Sequence, residues 1–239
     1  HFLVIGAGIS GRAASLALAG HGGSVTLNDM KAIDTEEQSW PDIKAAGVQL
    51  VFGSQETALL DGMDVVVPSP VISPEIPIMK EAARRGLPIW SEVEVACRVT
   101  DADMIGITGT NGKTTTTTLV GEIMKATGRQ PVVGGNIGYG LSAQADNLPK
   151  EAVVVAELSS FQLEFTHSIK AKAATILNIT PDHLDRHHTM EGYAAAKERI
   201  FLNQDKGDYA VLNYDDERVR AMAKDMTGTV VYFSTCGEV

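Results

Sequence analysis

The sequence predicts an α/β protein made of two successive parallel-sheet domains, a Rossmann-like domain over 1–92 and a phosphate-loop ATPase type of domain over 93–239. Three observations carry this: the chain length, the alternation of short apolar runs with helical segments, and two glycine-rich turns that each join a strand to a helix. A chain of 239 residues exceeds one average domain and falls short of three. With 44% hydrophobic and 21% charged residues, it has the composition of a globular protein and excludes disordered, collagen-like and disulfide-dense classes. No apolar run approaches the ~20 residues of a membrane helix. Twenty Lys and Arg against thirty Asp and Glu leave a net charge of −10, so neither nucleic acid nor a membrane surface is an expected partner. Two cysteines far apart, Cys97 and Cys236, read as reduced thiols of a cytoplasmic protein, and a monomer is expected.

The elements follow in order. Phe2–Ile5 is a strand-length apolar run rather than a leader, and it ends in Gly6-Ala7-Gly8-Ile9-Ser10-Gly11 before an Ala- and Leu-rich helix to Gly20. Val25–Leu27, Val48–Phe52 and Val65–Val67 supply further strands with polar or helical segments between them. Five of the nine prolines fall between Pro68 and Pro88, which predicts an irregular, stiffened loop at the sheet edge where ligands sit. A strand over Leu87–Trp90 leads into Ser91–Asp103, read as a polar, partly helical passage between domains. The second domain has expected strands at Ile105–Thr108, Val132–Val133, Val153–Ala156, Thr175–Ile179, Ala210–Leu212 and Val230–Phe233. Its helices are expected at Lys113–Ala126, Glu191–Asn203 and Glu217–Asp225.

Gly6-x-Gly8-x-x-Gly11 could offer bare helix-terminal amides to a diphosphate, and Asp29 ends the second strand, where an acidic side chain commonly meets a ribose. Alone, this turn is a weak signal, with a nicotinamide or flavin dinucleotide as its default ligand and tight packing as the alternative. Gly109-Thr110-Asn111-Gly112-Lys113-Thr114 is more specific: a shortened phosphate loop, with Ile107 where the usual spacing puts the first glycine. It keeps glycines that turn N–H groups to phosphate, an ammonium for the β and γ phosphates, and a hydroxyl for Mg²⁺. Glu157, at the end of the Val153–Ala156 strand, is placed to hold Mg²⁺ or to pair structurally.

Asn178 to His188 gathers Asp182, His183, Asp185, His187 and His188. His183 and His187 could bind zinc if helical, but Pro181 favours a loop and a magnesium and substrate site using His183. Lys197 falls on the apolar helix side with Tyr193, Ile200 and Phe201. Its stem could snorkel to solvent. Otherwise burial makes the amine neutral, whereas an ordinary lysine is neutral about once in 2,500 molecules at pH 7. A neutral amine takes up CO₂, and the carbamate ligates Mg²⁺.

Taken together, G-T-N-G-K-T, E-L-S-S-F-Q-L at Glu157–Leu163, L-N-I-T-P-D-H-L-D-R-H at Leu177–His187 and Y-A-A-A-K at Tyr193–Lys197 resemble the Mur ligases in order and spacing. With Gly134-Gly135-Asn136-Ile137-Gly138, the likeness covers essentially the whole chain. Within the family it points to members that use UDP-N-acetylmuramoyl-L-alanine and D-glutamate for peptidoglycan precursor synthesis. The resemblance implies that Ile9, Ser10, Asp29 and Lys31 contact the UDP portion, while Asn136, Ser159, Gln162 and His183 face the muramoyl-alanine portion. It implies that Gly109, Thr110, Asn111, Gly112, Lys113, Thr114 and Thr115 hold ATP. Thr114 and Glu157 would take one Mg²⁺, and His183 with carbamylated Lys197 the second, making Lys113, His183 and Lys197 the catalytic set.

Two departures stand out. Ser69-Pro70-Val71 replaces the Ser-Pro-Gly common in the family, putting a side chain near the diphosphate. The family has a third domain with the amino-acid site, so this chain, opening at His1 and stopping at Val239, is expected to be a fragment without the adenine and D-glutamate contacts. The implied reaction is amide formation through an acyl phosphate, driven by positioning and electrostatics, with orientation of the carboxylate or proton removal as a lesser role for His183. The alternatives are a Mur-type ligase for another amino acid, a folate-polyglutamylating relative, which the first glycine turn disfavours, a dinucleotide-binding oxidoreductase or sensor, and an inert interaction module.

Overall fold

The computed structural model describes residues 1–33, 40–149 and 151–237. These form two compact units, His1–Val99 with Tyr139–Asp146, and Thr100–Gly138 with Asn147–Val239.

In the first unit, β1 (Phe2–Ile5), β2 (Val25–Asp29), β3 (Gln49–Phe52) and β4 (Val65–Pro68) make a parallel sheet of order β3-β2-β1-β4. Strands buried on both faces need continuous apolar runs, and β4 is buried at all four positions. Helix α1 (Ile9–Gly20) lays Ala13, Ala14, Ala17 and Leu18 into the core. Its close approach to β1 depends on Gly11, where a Cβ would sit 1.8 Å from the Gly6 carbonyl oxygen. The short α2 (Pro41–Ala45) completes this side.

Three expectations need correction here. The proline-rich stretch is not wholly irregular: Pro77 opens α3 (Pro77–Arg84), using the first-turn position where its missing N–H costs nothing. Leu87–Trp90 forms only an isolated bridge, Ile89 to Val66, in place of a strand. Val71, at the Ser-Pro-Gly departure, is 83% exposed and lacks a positive φ. The expected passage between domains contains a core helix, α4 (Glu92–Val99), with Val93, Val95 and Ala96 fully buried, so the division falls after Val99 and not after residue 92.

The excursion Tyr139–Asp146 returns to the first unit as α6 (Leu141–Ala145), and buried Glu92 explains its anchorage. The Glu92 carboxyl accepts hydrogen bonds from Ser142 N and Oγ, both at 2.6 Å, and burial pushes its pKa up. Gly140 permits the contact, since a Cβ there would lie 2.4 Å from that of Ala13.

In the second unit, β5 (Asp103–Thr108), β6 (Gln130–Gly135), β7 (Ala152–Glu157), β8 (Ala173–Ile176), β9 (Tyr209–Asn213) and β10 (Thr229–Phe233) form a parallel sheet of order β10-β9-β8-β5-β7-β6. Helix α5 (Lys113–Ala126) follows β5, and α7 (Ser160–Glu164) follows β7. After β8 come α8 (Leu184–His187) and α9 (Met190–Glu198), the latter continued by a 3₁₀ turn over Arg199–Phe201. Helix α10 (Glu217–Ala221) also ends in a 3₁₀ turn. β8 stops before the expected Ile179 because the chain turns out to meet the glycine loop and α10: Thr110 N donates to Asn178 O at 3.0 Å, and Ile179 N to Asp216 Oδ2 at 2.8 Å. The loop expected after Pro181 includes a full helical turn, α8. Among the described residues, no helix is long and apolar enough to cross a membrane.

Candidate phosphate-binding site

In the second unit, β5 lies between β8 and β7. The carboxyl-terminal ends of these three parallel strands therefore bring Gly109–Thr115, Asn178–His183 and Glu157 to one edge, where open α/β sheets bind ligands. The α5 N-cap is Gly112, at φ 84°, with no side-chain cap, so the first-turn N–H groups remain available to an anion. Gly109, at φ 150°, passes so close to Leu177 that a Cβ would lie 3.0 Å from the leucine Cβ. Thr114 and Thr115 are exposed on the first turn.

The loop is braced by residues that the sequence motif contained but did not mark. Asn178 accepts from Asn111 N at 2.9 Å and donates to Asn111 O at 3.1 Å. Thr180 N donates to Thr110 Oγ1 at 3.0 Å, and the Tyr193 hydroxyl lies 3.3 Å from that oxygen. Side-chain amides that copy backbone bonding leave no periodic signal; only the adjacency of Asn178 to a strand end could have flagged it.

Two ammonium groups meet at one carbonyl. Lys113 Nζ donates to Gly109 O at 3.0 Å and Thr110 O at 2.8 Å, and Lys197 Nζ donates to Gly109 O at 2.9 Å. Lys197 is 1% exposed, which disposes of the snorkelling alternative. Burial, followed by the Lys113 charge, lowers its pKa to about 7. Its Nζ lies 4.6 Å from the centroid of Tyr193, as the apolar helix face required.

Glu157 is buried, and Asn136 Nδ2 donates to its Oε1 at 3.0 Å. Its Oε2 has no hydrogen-bond partner among the described residues, an arrangement that costs stability unless a cation or donor completes it. Ser159 and Gln162 form a capping box on α7, with Ser159 Oγ accepting from Gln162 N at 3.2 Å and Gln162 Oε1 accepting from Ser159 N at 3.0 Å. His183 caps α8 at φ 51°, an uncommon backbone state for a side-chain-bearing residue. Its ring packs on Phe161 at 4.8 Å and meets Tyr193 edge-on at 6.2 Å. Among the described residues, no group of three or more His, Cys, Asp or Glu side chains is gathered as a metal site.

The remaining predicted residues lie in the first unit. Gly6 takes φ 97° and α1 starts from Gly8 without a side-chain cap. Ile9 is 65% exposed at that terminus and Ser10 is half-buried. Asp29 Oδ2 accepts from Ala7 N at 2.9 Å and Oδ1 from Lys31 N at 2.9 Å, so one carboxylate ties the second strand to the glycine turn beside exposed Lys31. The predicted set therefore divides, with Ile9, Ser10, Asp29 and Lys31 in one unit and Asn136, Ser159, Gln162 and His183 in the other.

A parallel sheet whose central strand feeds a lysine-bearing glycine loop, flanked by a buried acid, defines a nucleotide-phosphate-handling α/β protein. Comparison with known proteins narrows the class: the family model described as Mur ligase middle domain matches residues 107–239, and the chain belongs to the Mur ligase family. It is 48% identical over 232 residues to UDP-N-acetylmuramoylalanine–D-glutamate ligase of Desulfitobacterium hafniense (strain Y51), covering 97% of this chain and 51% of that protein. The ligase of the same name from Pelotomaculum thermopropionicum is 45% identical over 232 residues, again 97% and 51%. The chain thus spans about half the length of these relatives. Among solved structures, the UDP-N-acetylmuramate:L-alanyl-gamma-D-glutamyl-meso-diaminopimelate ligase of Neisseria meningitides matches with a TM-score of 0.64 at 19% identity, over 98% of this chain and 77% of that one. UDP-N-acetylmuramate-alanine ligase of Thermotoga maritima matches at 0.55 and 22% identity, over 99% and 53%. Both likenesses concern the fold.

Proposed function

We propose that this chain is part of an ATP-dependent ligase that joins D-glutamate to the carboxylate of UDP-N-acetylmuramoyl-L-alanine in peptidoglycan precursor synthesis. The observation that carries the reading is the glycine loop at the end of β5, with Lys113 folded onto its own carbonyls and Lys197 sharing one of them. The names of the relatives, at 45–48% identity, supply the substrates. A carboxylate is a poor electrophile. Transfer of the γ-phosphoryl group of ATP makes an acyl phosphate and releases ADP; the amine of D-glutamate then attacks the acyl carbon and phosphate leaves.

The residues divide the work by position. Loop amides from Gly109 to Thr115 would cradle phosphate oxygens, and Lys113 would leave the loop carbonyls to offset charge on the transferring group. The orphan Glu157 Oε2 and the exposed Thr114 hydroxyl fit a magnesium ion. Lys197, held near neutrality by burial, fits the carbamate that would complete a second site with His183. Magnesium, when bound, would neutralise phosphate charge. Asn136, Ser159, Gln162 and His183 would receive the muramoyl-alanine portion, and Ile9, Ser10, Asp29 and Lys31 the UDP portion. A Rossmann-like domain followed by an ATP-binding domain belongs to the same reading of the complete protein, as do a monomeric state and a cytoplasmic location.

Titration with Mg·ATP tests the central assignment. The chain is expected to bind, and Lys113→Ala to weaken binding by on the order of 100-fold, the worth of a charge-assisted hydrogen bond. Unchanged affinity in the variant would exclude the loop as the nucleotide site.

A further inference from the structure

Between the arm bearing Ser159 and Gln162 and the turn bearing His183 lies a part-buried polar contact that the reaction reading leaves unused. His187 Nε2 is 2.9 Å from Ser160 Oγ, and Ser160 is 1% exposed. His187 also closes the turn through its backbone, donating its N–H to His183 O at 3.1 Å. One residue therefore fixes both ends of α8: its amide grips the strained His183, and its ring is fastened to α7. Apolar packing surrounds the fastening. The His187 ring lies 5.6 Å from Phe161 and 5.4 Å from Tyr193, the same two rings that contact His183. Burial lowers the His187 pKa.

Neighbouring contacts leave the turn little freedom. Arg186 pairs with Glu164 of α7 at 2.9 Å and covers Phe161 at 4.4 Å. On the other side, a Cβ on Gly192 would lie 2.7 Å from His187 O, so only glycine lets α9 start this close. A left-handed residue such as His183 is strained and persists only where its surroundings over-determine it. The Ser160–His187 contact is the buried polar part of that determination.

We propose that His187 is a positioning residue which, through Ser160, holds His183 in its left-handed conformation beside α7, so that the magnesium-binding and muramoyl-binding arms keep a fixed register. This rests on the reading of His183 as a ligand group. In this role His187 acts through His183 and touches neither substrate nor metal itself. Its effect should therefore appear in metal dependence rather than in nucleotide affinity.

Two measurements test it. In the complete enzyme, Ser160→Ala and His187→Ala should each raise the magnesium concentration for half-maximal activity about tenfold, with the KM for ATP changed less than twofold. His187→Gln, whose amide can still reach Ser160, should recover most of the loss, and the double variant should be no worse than either single one. A fall in thermal stability alone, with magnesium dependence unchanged, overturns the proposal. The second measurement needs no activity: in this chain, NMR of the His183 backbone coupling and ring should report the left-handed state in the unsubstituted protein and its loss in Ser160→Ala. Unchanged His183 signals in that variant overturn the proposal even if the enzyme proves not to be this ligase, whereas absence of amide synthesis by the unsubstituted enzyme would defeat only the functional reading.

Discussion

The molecule uses the same strand–glycine turn–helix unit twice, and the two copies differ in what fills the turn. After β1, the turn presents the uncapped start of α1 and is tied to a carboxylate, Asp29, through Ala7 N. After β5, the turn holds two lysine amines on one carbonyl. Helix-terminal amides suffice to hold a diphosphate that stays intact, since no charge develops on it. A phosphoryl group in transfer needs mobile positive charge, which Lys113 stores against its own loop. In the proposed function, backbone geometry suits both turns to a phosphate, and the side chains decide whether that phosphate is held or moved.

The largest expected effect breaks the first turn alone. Gly11→Ala places a Cβ against the Gly6 carbonyl oxygen at 1.8 Å and should destabilise the first unit by about 3 kcal/mol, seen as lost hydrogen-exchange protection in β1 and α1 while β5 and α5 keep theirs. Lys113→Ala does the converse, weakening Mg·ATP binding on the order of 100-fold while binding of the UDP-sugar stays within twofold.

Titration of Lys197 sharpens the contrast. Its pKa is about 7 in the folded chain against an ordinary 10.5, so between these values the unfolded chain binds more protons and stability rises with pH. Between pH 7 and 9 the gain should be on the order of 1 kcal/mol per pH unit. Lys197→Met should abolish that slope in denaturant titrations; a variant retaining the full slope would locate the proton elsewhere. Lys113→Ala should raise the Lys197 pKa by removing the neighbouring charge.

The smallest effect concerns His188, at φ 62° after α8. His188→Gly should raise stability by about 0.5 kcal/mol, relief of backbone strain slightly exceeding the added chain entropy. A loss of stability would show that the His188 side chain contributes contacts worth more than the strain.

Legibility in the sequence followed the kind of interaction. Apolar runs such as Phe2–Ile5 and the periodic Lys113–Ala126 gave element bounds that the structure reproduces, because burial of a face writes itself into spacing. The burial of helix α4 was hidden because Glu92 and Glu94 look solvent-facing, yet one is held by Ser142 and the other by Arg98 at 2.7 Å. Pro77 read as a breaker although it starts a helix. At the site, Lys113, Glu157 and Lys197 stood out by residue type and strand-end position. Asn178 and Ser160 did not, and His187 was marked only as a possible zinc partner of His183, since their contacts reach partners as much as 67 residues away that no local pattern connects.

The most direct measurement is a sequential calorimetric titration of this chain, first with UDP-N-acetylmuramoyl-L-alanine and then with Mg·ATP, with NADH as the comparison ligand. Two glycine turns with separate tasks predict one site for each of the first two ligands, filled without competition, and no heat from NADH. Binding of NADH in place of the UDP-sugar, or displacement of the UDP-sugar by ATP, would contradict that account.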